Sequence, residues 1–474
     1  MITLFQNMYG KIKLRIKQTA CTSTPNDCFF TSQAGVFQGE SLSPFLFAMF
    51  LNDLNIALLR NDDLDGILNQ LLINVLLFAD DMVLFSATRL GLQQGLDKLG
   101  DYCDRWGLTV NVAKSKCVAF KKGGKIGVLD KWIYKNENVE TVNHFKYLEF
   151  VFGSSGKFTK GIQSLTDQGN RALFGLKSVI YQYPEMMPQT QLQLFNTLVA
   201  PVLSYSSEIW GFCEATQMDR LYLGFLKSVL GVRKTVPTCF IYKEFGVFPL
   251  INTRYTRILK YWFKLLSLND TNPVKVIYNL LLKDASDNAS TTNWASLLRD
   301  LLRTNGFGNV WIQQHVHNNN AFVITFNQRI KDVFLQNCHG NITNVSDHRL
   351  YKFINMERSQ YLSNINERYI RNAIAKLRLG SHSFLVERGR WQTPKLEYAR
   401  RICPICNDIE DEYHVVLECL RFVQLRKRYL PQYLYVRPSM LKFVDFINTV
   451  EGKHLKMFGI FIHKLLNEYN DTVL

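Results

Sequence analysis

Apolar and polar positions follow two regimes along the chain. Up to about residue 150, short apolar runs are broken by polar turns, the pattern of strands and single helices. Val75-Leu76-Leu77-Phe78-Ala79 is apolar, Asp80-Asp81 follows, and Met82-Val83-Leu84-Phe85 is apolar again, which predicts a tight hairpin with a charged tip. Ser43 before Pro44 predicts a helix start, with Ser as N-cap and Pro at the first helical position. That helix would run to about Arg60 and be mostly buried through Phe50, Leu51 and Leu54, with Asn52-Asp53 interrupting its apolar face. Leu92, Leu96, Leu99, Cys103 and Trp106 recur at helical spacing, and Val110 and Cys117–Phe120 fit strands. Beyond about residue 155 the period is helical: Ile162, Leu165, Gly169, Leu173, Leu176 and Ile180 make one face, and Gln189–Tyr205 and Met218–Leu230 read as two more helices. Ala285–Asn293 and Asn337–Asp347 read as polar loops.

The aspartate pair is the first candidate for chemistry. An unpaired buried carboxylate is expensive, so a cation or solvent must be near, and paired acids that hold divalent magnesium are one solution. A plain turn is the alternative, although the strong two-residue turn signal is Asn-Gly or Asp-Gly rather than Asp-Asp. Upstream, Gln38-Gly39 supplies a glycine turn where backbone can approach a ligand closely.

Cysteine spacing adds a second candidate. Cys403-Pro-Ile-Cys406, then His414 and Cys419, gives C-x2-C-x7-H-x4-C, a set that can place three sulfurs and one nitrogen tetrahedrally around zinc. Arg400 and Arg401 precede it and Arg421, Arg426, Lys427 and Arg428 follow, a basic setting suited to phosphates. Arg254, Arg257, Lys260 and Lys264 fall on one helix face among Tyr255, Tyr261, Trp262 and Phe263. Either a nucleic-acid stripe or a solvated face over a core would look this way.

Composition sharpens the partner. The 474 residues carry net charge +16 and are 47% hydrophobic, which points to a polyanion and leaves ample material for cores. No run is long enough to span a bilayer, so no membrane partner is expected. Ten scattered cysteines fit a reducing intracellular compartment better than a disulfide framework.

Together, Gln38-Gly39, Ser43-Pro44, Asn52-Asp53-Leu54 and Phe78-Ala79-Asp80-Asp81 resemble the palm motifs of reverse transcriptases, and more narrowly those of LINE-type (non-LTR) retrotransposons. Trp106-Gly107-Leu108-Thr109-Val110-Asn111 with Lys114-Ser115-Lys116 resembles motif D, and His144-Phe145-Lys146-Tyr147-Leu148 resembles the primer-grip strand. The cysteine–histidine set, approached through Leu377-Arg378-Leu379-Gly380-Ser381-His382, is similar to the C-terminal zinc motif of those elements.

The resemblance implies an α/β (α+β) partial polymerase palm at 1–154, a helical thumb at 155–235, a helical connector at 236–395, a zinc knuckle at 396–430 and a helical tail at 431–474. It implies two Mg2+ ions at Asp80 and Asp81, with Asp80 the principal ligand, and a structural Zn2+ at Cys403, Cys406, His414 and Cys419. Gln38, Gly39, Ser43 and Pro44 would shape the nucleotide and template pocket. Lys114, with Lys116 as its rival, would neutralise pyrophosphate, and Phe145, Tyr147 and Leu148 would hold the primer end. RNA template, DNA primer and deoxynucleoside triphosphates are the implied partners, and chromosomal insertion in the family implies a nuclear as well as cytoplasmic location. Two departures stand out. The family's third carboxylate lies in an earlier Asp-containing block, whereas Asp27 is the single acid before Gln38. The chain therefore reads as starting after that block, with the remainder supplied by another chain or a longer transcript. Glu149 replaces the glycine that follows Tyr-Leu in the grip block. These departures imply a polymerase in descent and fold that is catalytically incomplete alone. A non-enzymatic RNA- or DNA-binding protein is the alternative.

Overall fold

The computed structural model describes residues 35–36, 39–58, 74–121, 123, 125–127, 129–287, 292–344, 350–354 and 359–473, with short strands at 14–15 and 29–30. They fall into two compact units, Met1–Ala119 with Ile126–Val142, and Phe120–Lys125 with Asn143–Leu474. Small sheets in the first unit and helices through most of the second agree with a mixed palm followed by helical parts.

In the first unit, β1 (Leu14–Arg15) pairs antiparallel with β2 (Phe29–Phe30). Helix α1 (Ser43–Phe50) is followed by a turn and the single-turn α2 (Leu54–Ala57). The expected helix to Arg60 is thus two short pieces. Ser43 is not the cap: the helix starts at Ser43, with Leu42 in helical backbone at the N-cap position and Pro44 in the first turn. Nor is α1 mostly buried, since Phe45 and Met49 are 61% and 60% exposed. Core-forming side chains come from just after it, where Leu51, Leu54 and Leu58 are 6% exposed or less.

Strands β3 (Val75–Phe78) and β4 (Asp81–Leu84) make the expected hairpin, Val75 opposite Leu84 and Phe78 opposite Asp81. Helix α3 (Arg89–Trp106) matches its apolar spacing. Thr88 caps it by accepting from the Gly91 N–H at 3.0 Å, and Gly107 closes it at φ +65°. Leu99, Tyr102 and Cys103 point into a core with Leu54, Val75, Trp132 and Val139. The side-chain amide of Gln93 clamps α3 to β6 (Trp132–Tyr134), bonding both the N–H and the carbonyl of Ile133. Strand β7 (Glu137–Thr141) lies between β6 and the parallel β5 (Lys116–Cys117). Val110 is not in a strand, and Val118–Phe120 lie outside β5, because only Lys116 and Cys117 find ladder partners on β7.

In the second unit, β8 (His144–Tyr147) and β9 (Phe150–Gly153) form a hairpin. Helix α4 (Thr159–Gln182) buries Ile162, Leu165, Gly169, Leu173, Leu176 and Ile180, the face its spacing predicts. Helices α5 (Pro188–Leu198), α6 (Thr216–Leu230) and α7 (Thr238–Phe245) follow. One apolar core runs from Phe150 through these helices to α12 (Arg368–Arg378), the cysteine segment, α13 (Met440–Thr449) and α14 (Gly452–Val473). A second core joins α8 (Leu250–Ser267), α9 (Pro273–Asp287), α10 (Trp294–Thr304) and α11 (Asn319–Asn344). The loop expected from Asn337 is helical as far as Asn344, because Cys338 and Ile342, four residues apart, are both buried. Ala285 likewise belongs to α9, where it is 2% exposed. No helix of the described residues is long and apolar enough to cross a membrane.

Candidate functional site

The acidic hairpin is built by its register. Pairing Phe78 with Asp81 leaves Ala79 and Asp80 as the two-residue turn, so Asp80 sits at the tip and Asp81 opens β4. Ala79 takes φ +51°, a left-handed conformation that costs a non-glycine residue roughly 1–2 kcal/mol. Both aspartates are exposed, so solvent meets the charge that the sequence left unpaired. Beneath them Val75 enters the core, while Phe78 is 60% exposed. Asp53 anchors the neighbouring helix by accepting from the Tyr102 hydroxyl at 2.6 Å. Burial, reinforced by that carboxylate, holds Tyr102 far above the ordinary phenol range. Tyr102 escaped the sequence reading because it lies one residue off the apolar spacing of α3.

The two candidate lysines separate clearly. Lys116 donates to Glu140 at 2.6 Å and to the Ala113 carbonyl at 2.9 Å, a cross-strand ion pair fixed by the β5–β7 register. Lys114 is exposed at the end of an Asx turn, its backbone N–H donating to Asn111 Oδ1 at 3.1 Å. Among the described residues nothing engages its ammonium, so Lys114 is the free cation of the pair. Gly39 is exposed at φ +87°, Ser43 is buried and Pro44 exposed, and Gln38 lies outside the described residues, as does Asp27.

In the second unit the β8–β9 hairpin carries Phe145, Tyr147 and Leu148. Tyr147 opposite Phe150 leaves Leu148 and Glu149 as the turn, both left-handed at φ +45° and +66°. Two positive φ values in a row are what a type I′ hairpin turn requires, and glycine or asparagine meets that demand most cheaply. Glu149 meets it with strain, and its charge is answered by Lys146 at 2.5 Å. The Tyr205 hydroxyl donates to the Leu148 carbonyl at 2.8 Å and steadies the turn.

The cysteine–histidine group converges as its spacing predicts. The ligand atoms of Cys403, Cys406, His414 and Cys419 all lie within 4.8 Å of one another. Cys419 Sγ is 3.9 Å from the sulfurs of both Cys403 and Cys406. A tetrahedron with metal–sulfur bonds of ~2.3 Å has edges of about 3.8 Å, so the spacing fits zinc. Asn407 at φ +61° turns the first pair back, and the Leu420 N–H donates to Cys406 Sγ at 3.3 Å. A π turn at His414–Glu418 brings His414 and Cys419 together, the Cys419 N–H donating to the His414 carbonyl at 2.8 Å. Asp411 secures the turn by accepting from the His414 N–H at 2.9 Å. His414 is 2% exposed, yet neither ring nitrogen has a hydrogen-bond partner. Glu418, 3.8 Å from Nδ1, is too far for one. Burial, with added repulsion from the Cys403 and Cys406 sulfurs, pushes the Cys419 thiol up to about 12. Two buried thiols, the half-buried Cys406 thiol and an unpartnered buried imidazole are the donor set zinc would satisfy.

The basic neighbours divide. Arg401 is 2% exposed and donates to the Val386 carbonyl at 2.7 Å, and Arg426 is 3% exposed and donates to the Cys419 carbonyl. These two hold the segment rather than face a partner, while Arg400, Lys427 and Arg428 are exposed. The stripe on α8 divides likewise. Arg254, Trp262 and Phe263 are buried, the Arg257 guanidinium donates to the Ser204 carbonyl at 3.1 Å, and only Lys260 and Lys264 of the four cations are exposed. That face is a core with a solvated edge.

Among the described residues the cysteine–histidine set is the one group of three or more metal-ligating side chains, so no third carboxylate joins Asp80 and Asp81 there.

Residues 4–152 match the family model for reverse transcriptase (RNA-dependent DNA polymerase). Over 223 residues the chain is 28% identical to the retrovirus-related Pol polyprotein from type-1 retrotransposable element R2 of Bradysia coprophila, covering 44% of this chain and 24% of that protein. It is 27% identical over 224 residues to the R2DM Pol polyprotein of Drosophila melanogaster, covering 45% of this chain and 20% of that one. It is 22% identical over 195 residues to the RNA-directed DNA polymerase from mobile element jockey of Drosophila funebris, covering 40% and 20%. The chain thus spans a quarter or less of the length of these relatives. The acidic hairpin falls inside the matched segment, and the chain carries a reverse transcriptase domain homologous to those of R2 and jockey retrotransposon Pol proteins, together with a Cys3His motif.

Proposed function

We propose that this chain is a nucleic-acid-binding reverse transcriptase protein of retrotransposon origin, contributing Asp80 and Asp81 to a polymerase metal site and unable, as the isolated chain, to extend a primer. The observation that carries the reading is the exposed aspartate pair on a register-fixed hairpin inside the reverse transcriptase match, with no third carboxylate beside it among the described residues. Two divalent cations about 4 Å apart would supply activation of the primer hydroxyl and stabilisation of the leaving pyrophosphate. Asp80 and Asp81 would hold them from one side only, and every 1.4 kcal/mol of lost transition-state stabilisation costs about tenfold in rate. Lys114, whose ammonium is engaged by nothing among the described residues, is the residue suited to pyrophosphate charge. Phe145, Tyr147 and Leu148 are read as the primer-facing hairpin, and Gly39 and Pro44, with Gln38 and Ser43, as the nucleotide and template side.

Zinc at Cys403, Cys406, His414 and Cys419 would fix the C-terminal segment and leave Lys427 and Arg428, with the loosely ion-paired Arg400, exposed to phosphates. RNA template and DNA primer are the proposed partners, in nucleus and cytoplasm. Two measurements on one preparation test this. RNA binding should weaken steeply with salt, and Cys403→Ser should remove bound zinc and reduce binding. Unchanged zinc content and binding in that variant would sink the zinc assignment.

A further inference from the structure

Apart from both metal-ligating groups, a cavity of about 500 Å³ opens in the second unit, walled by the Gly231 turn at the end of α6, helix α12, the segment Ser381–Ser383 and helix α14. Its size is that of a small-molecule or single-nucleotide site. Arg233 and Lys376 line it, and no carboxylate does among the described residues. The wall is built rather than incidental. The Arg233 N–H donates to Ser381 Oγ at 2.8 Å and its guanidinium reaches Ser383 Oγ at 3.4 Å. Gly231, at φ +65°, lets backbone pass so close to Asn372 that a Cβ there would lie 2.5 Å from its amide nitrogen.

Two lining groups each carry one buried atom without a partner. His382 is 2% exposed; its Nε2 sits 3.0 Å from Glu412 Oε1, and its Nδ1 has no hydrogen bond. In the tautomer whose Nε2–H is directed at that carboxylate, Nδ1 is an acceptor. Asn372 Oδ1, also an acceptor, is buried and unpaired. Unpaired buried acceptors call for a donor from elsewhere. Tyr369, 51% exposed and 4.8 Å from the His463 ring, adds an aromatic surface. A ligand that satisfies all three features has an anionic group, N–H donors and a flat ring.

We infer that this cavity receives one nucleotide of a single-stranded nucleic acid. Arg233 and Lys376 take its phosphate, His382 and Asn372 accept from an exocyclic amine of its base, and Tyr369 packs on the ring. The inference rests on the reading of the chain as a nucleic-acid-binding protein and assigns the strand a site within the second unit. It also gives a task to Ser381-His382, which the sequence marks only as the approach to the cysteine cluster.

The test is an anisotropy titration of the full zinc-loaded chain with a labelled oligocytidine RNA, whose bases carry the exocyclic amine, over a series of salt concentrations. Arg233→Gln and Lys376→Gln should each weaken binding about three- to tenfold and lower the slope of log affinity against log salt by about 1, and Lys376→Arg should restore it. Asn372→Leu should weaken binding with no change of slope. The inference is overturned if the Arg233→Gln/Lys376→Gln double variant, with parental zinc content and melting midpoint, keeps the parental affinity and slope; the nucleic-acid reading would then survive. If the parent chain itself fails to bind the RNA, both fall.

Discussion

At the scale of single residues, backbone conformation shows what composition conceals. Glu149 occupies a left-handed position that glycine would fill without strain, at a cost of roughly 1–2 kcal/mol that an exposed ion pair with Lys146 offsets only slightly. Glu149→Gly is therefore expected to raise the stability of the second unit by up to about 1 kcal/mol, read as a higher denaturation midpoint in a urea titration. An unchanged or lower midpoint would show that the ion pair outweighs the turn. Charge alone misleads at Arg401 and Arg426. Placed by sequence in a basic setting suited to phosphates, they are 3% exposed or less and donate to main-chain carbonyls. A one-dimensional sequence gives the sign of a side chain but not the side of the backbone on which it packs. Asp80 and Asp81 were legible for the opposite reason, since two acids between two apolar strands have few places to go.

At the scale of elements, periodicity marks α3, α4 and α6, and it misses the far end of α11, where polar residues read as a loop. The face Ile162, Leu165, Gly169, Leu173, Leu176 and Ile180 is buried as its spacing requires. What spacing does not reveal is why two of the three glycines on α4 are needed, since Gly175 has open space beside it. A Cβ at Gly161 would lie 2.2 Å from the Phe150 ring, and one at Gly169 would lie 2.3 Å from Leu203 Cδ2. These glycines set how closely α4 packs on the β8–β9 hairpin and on the following helices. Gly161→Ala and Gly169→Ala should each destabilise the second unit by about 1–3 kcal/mol, measured by thermal unfolding, despite the better helix propensity of alanine. A neutral outcome at both would mean that the packing relaxes freely. Short elements were harder to read. Helix α1 breaks at Leu51 and the strand at Val110 does not form, because a few residues with few ladder partners are decided by tertiary contacts.

At the scale of the whole molecule, the cysteine segment is continuous with the core of the second unit: Cys403, Cys419 and Val415–Leu417 belong to the same apolar cluster as Phe150 and Tyr469. Zinc binding worth roughly 10–16 kcal/mol is as large as the stability of a typical domain. Chelation should therefore lower the melting temperature of the second unit, followed by circular dichroism, rather than release a detached knuckle. The metal must displace the Cys419 proton, held on a thiol pushed up to about 12, so zinc affinity should rise with pH by about tenfold per unit for each proton released. A chelator competition across a neutral-to-alkaline series reads that slope, and a flat profile would mean that no thiol of the set gives up a proton to the metal. The central claim concerns the proposed polymerase metal site, where, among the described residues, two carboxylates stand without a third. Primer extension on an RNA template with magnesium and deoxynucleoside triphosphates, run beside Asp80→Ala, tests it most directly. The account predicts no extension by the isolated chain above that variant; extension that Asp80→Ala abolishes would contradict it.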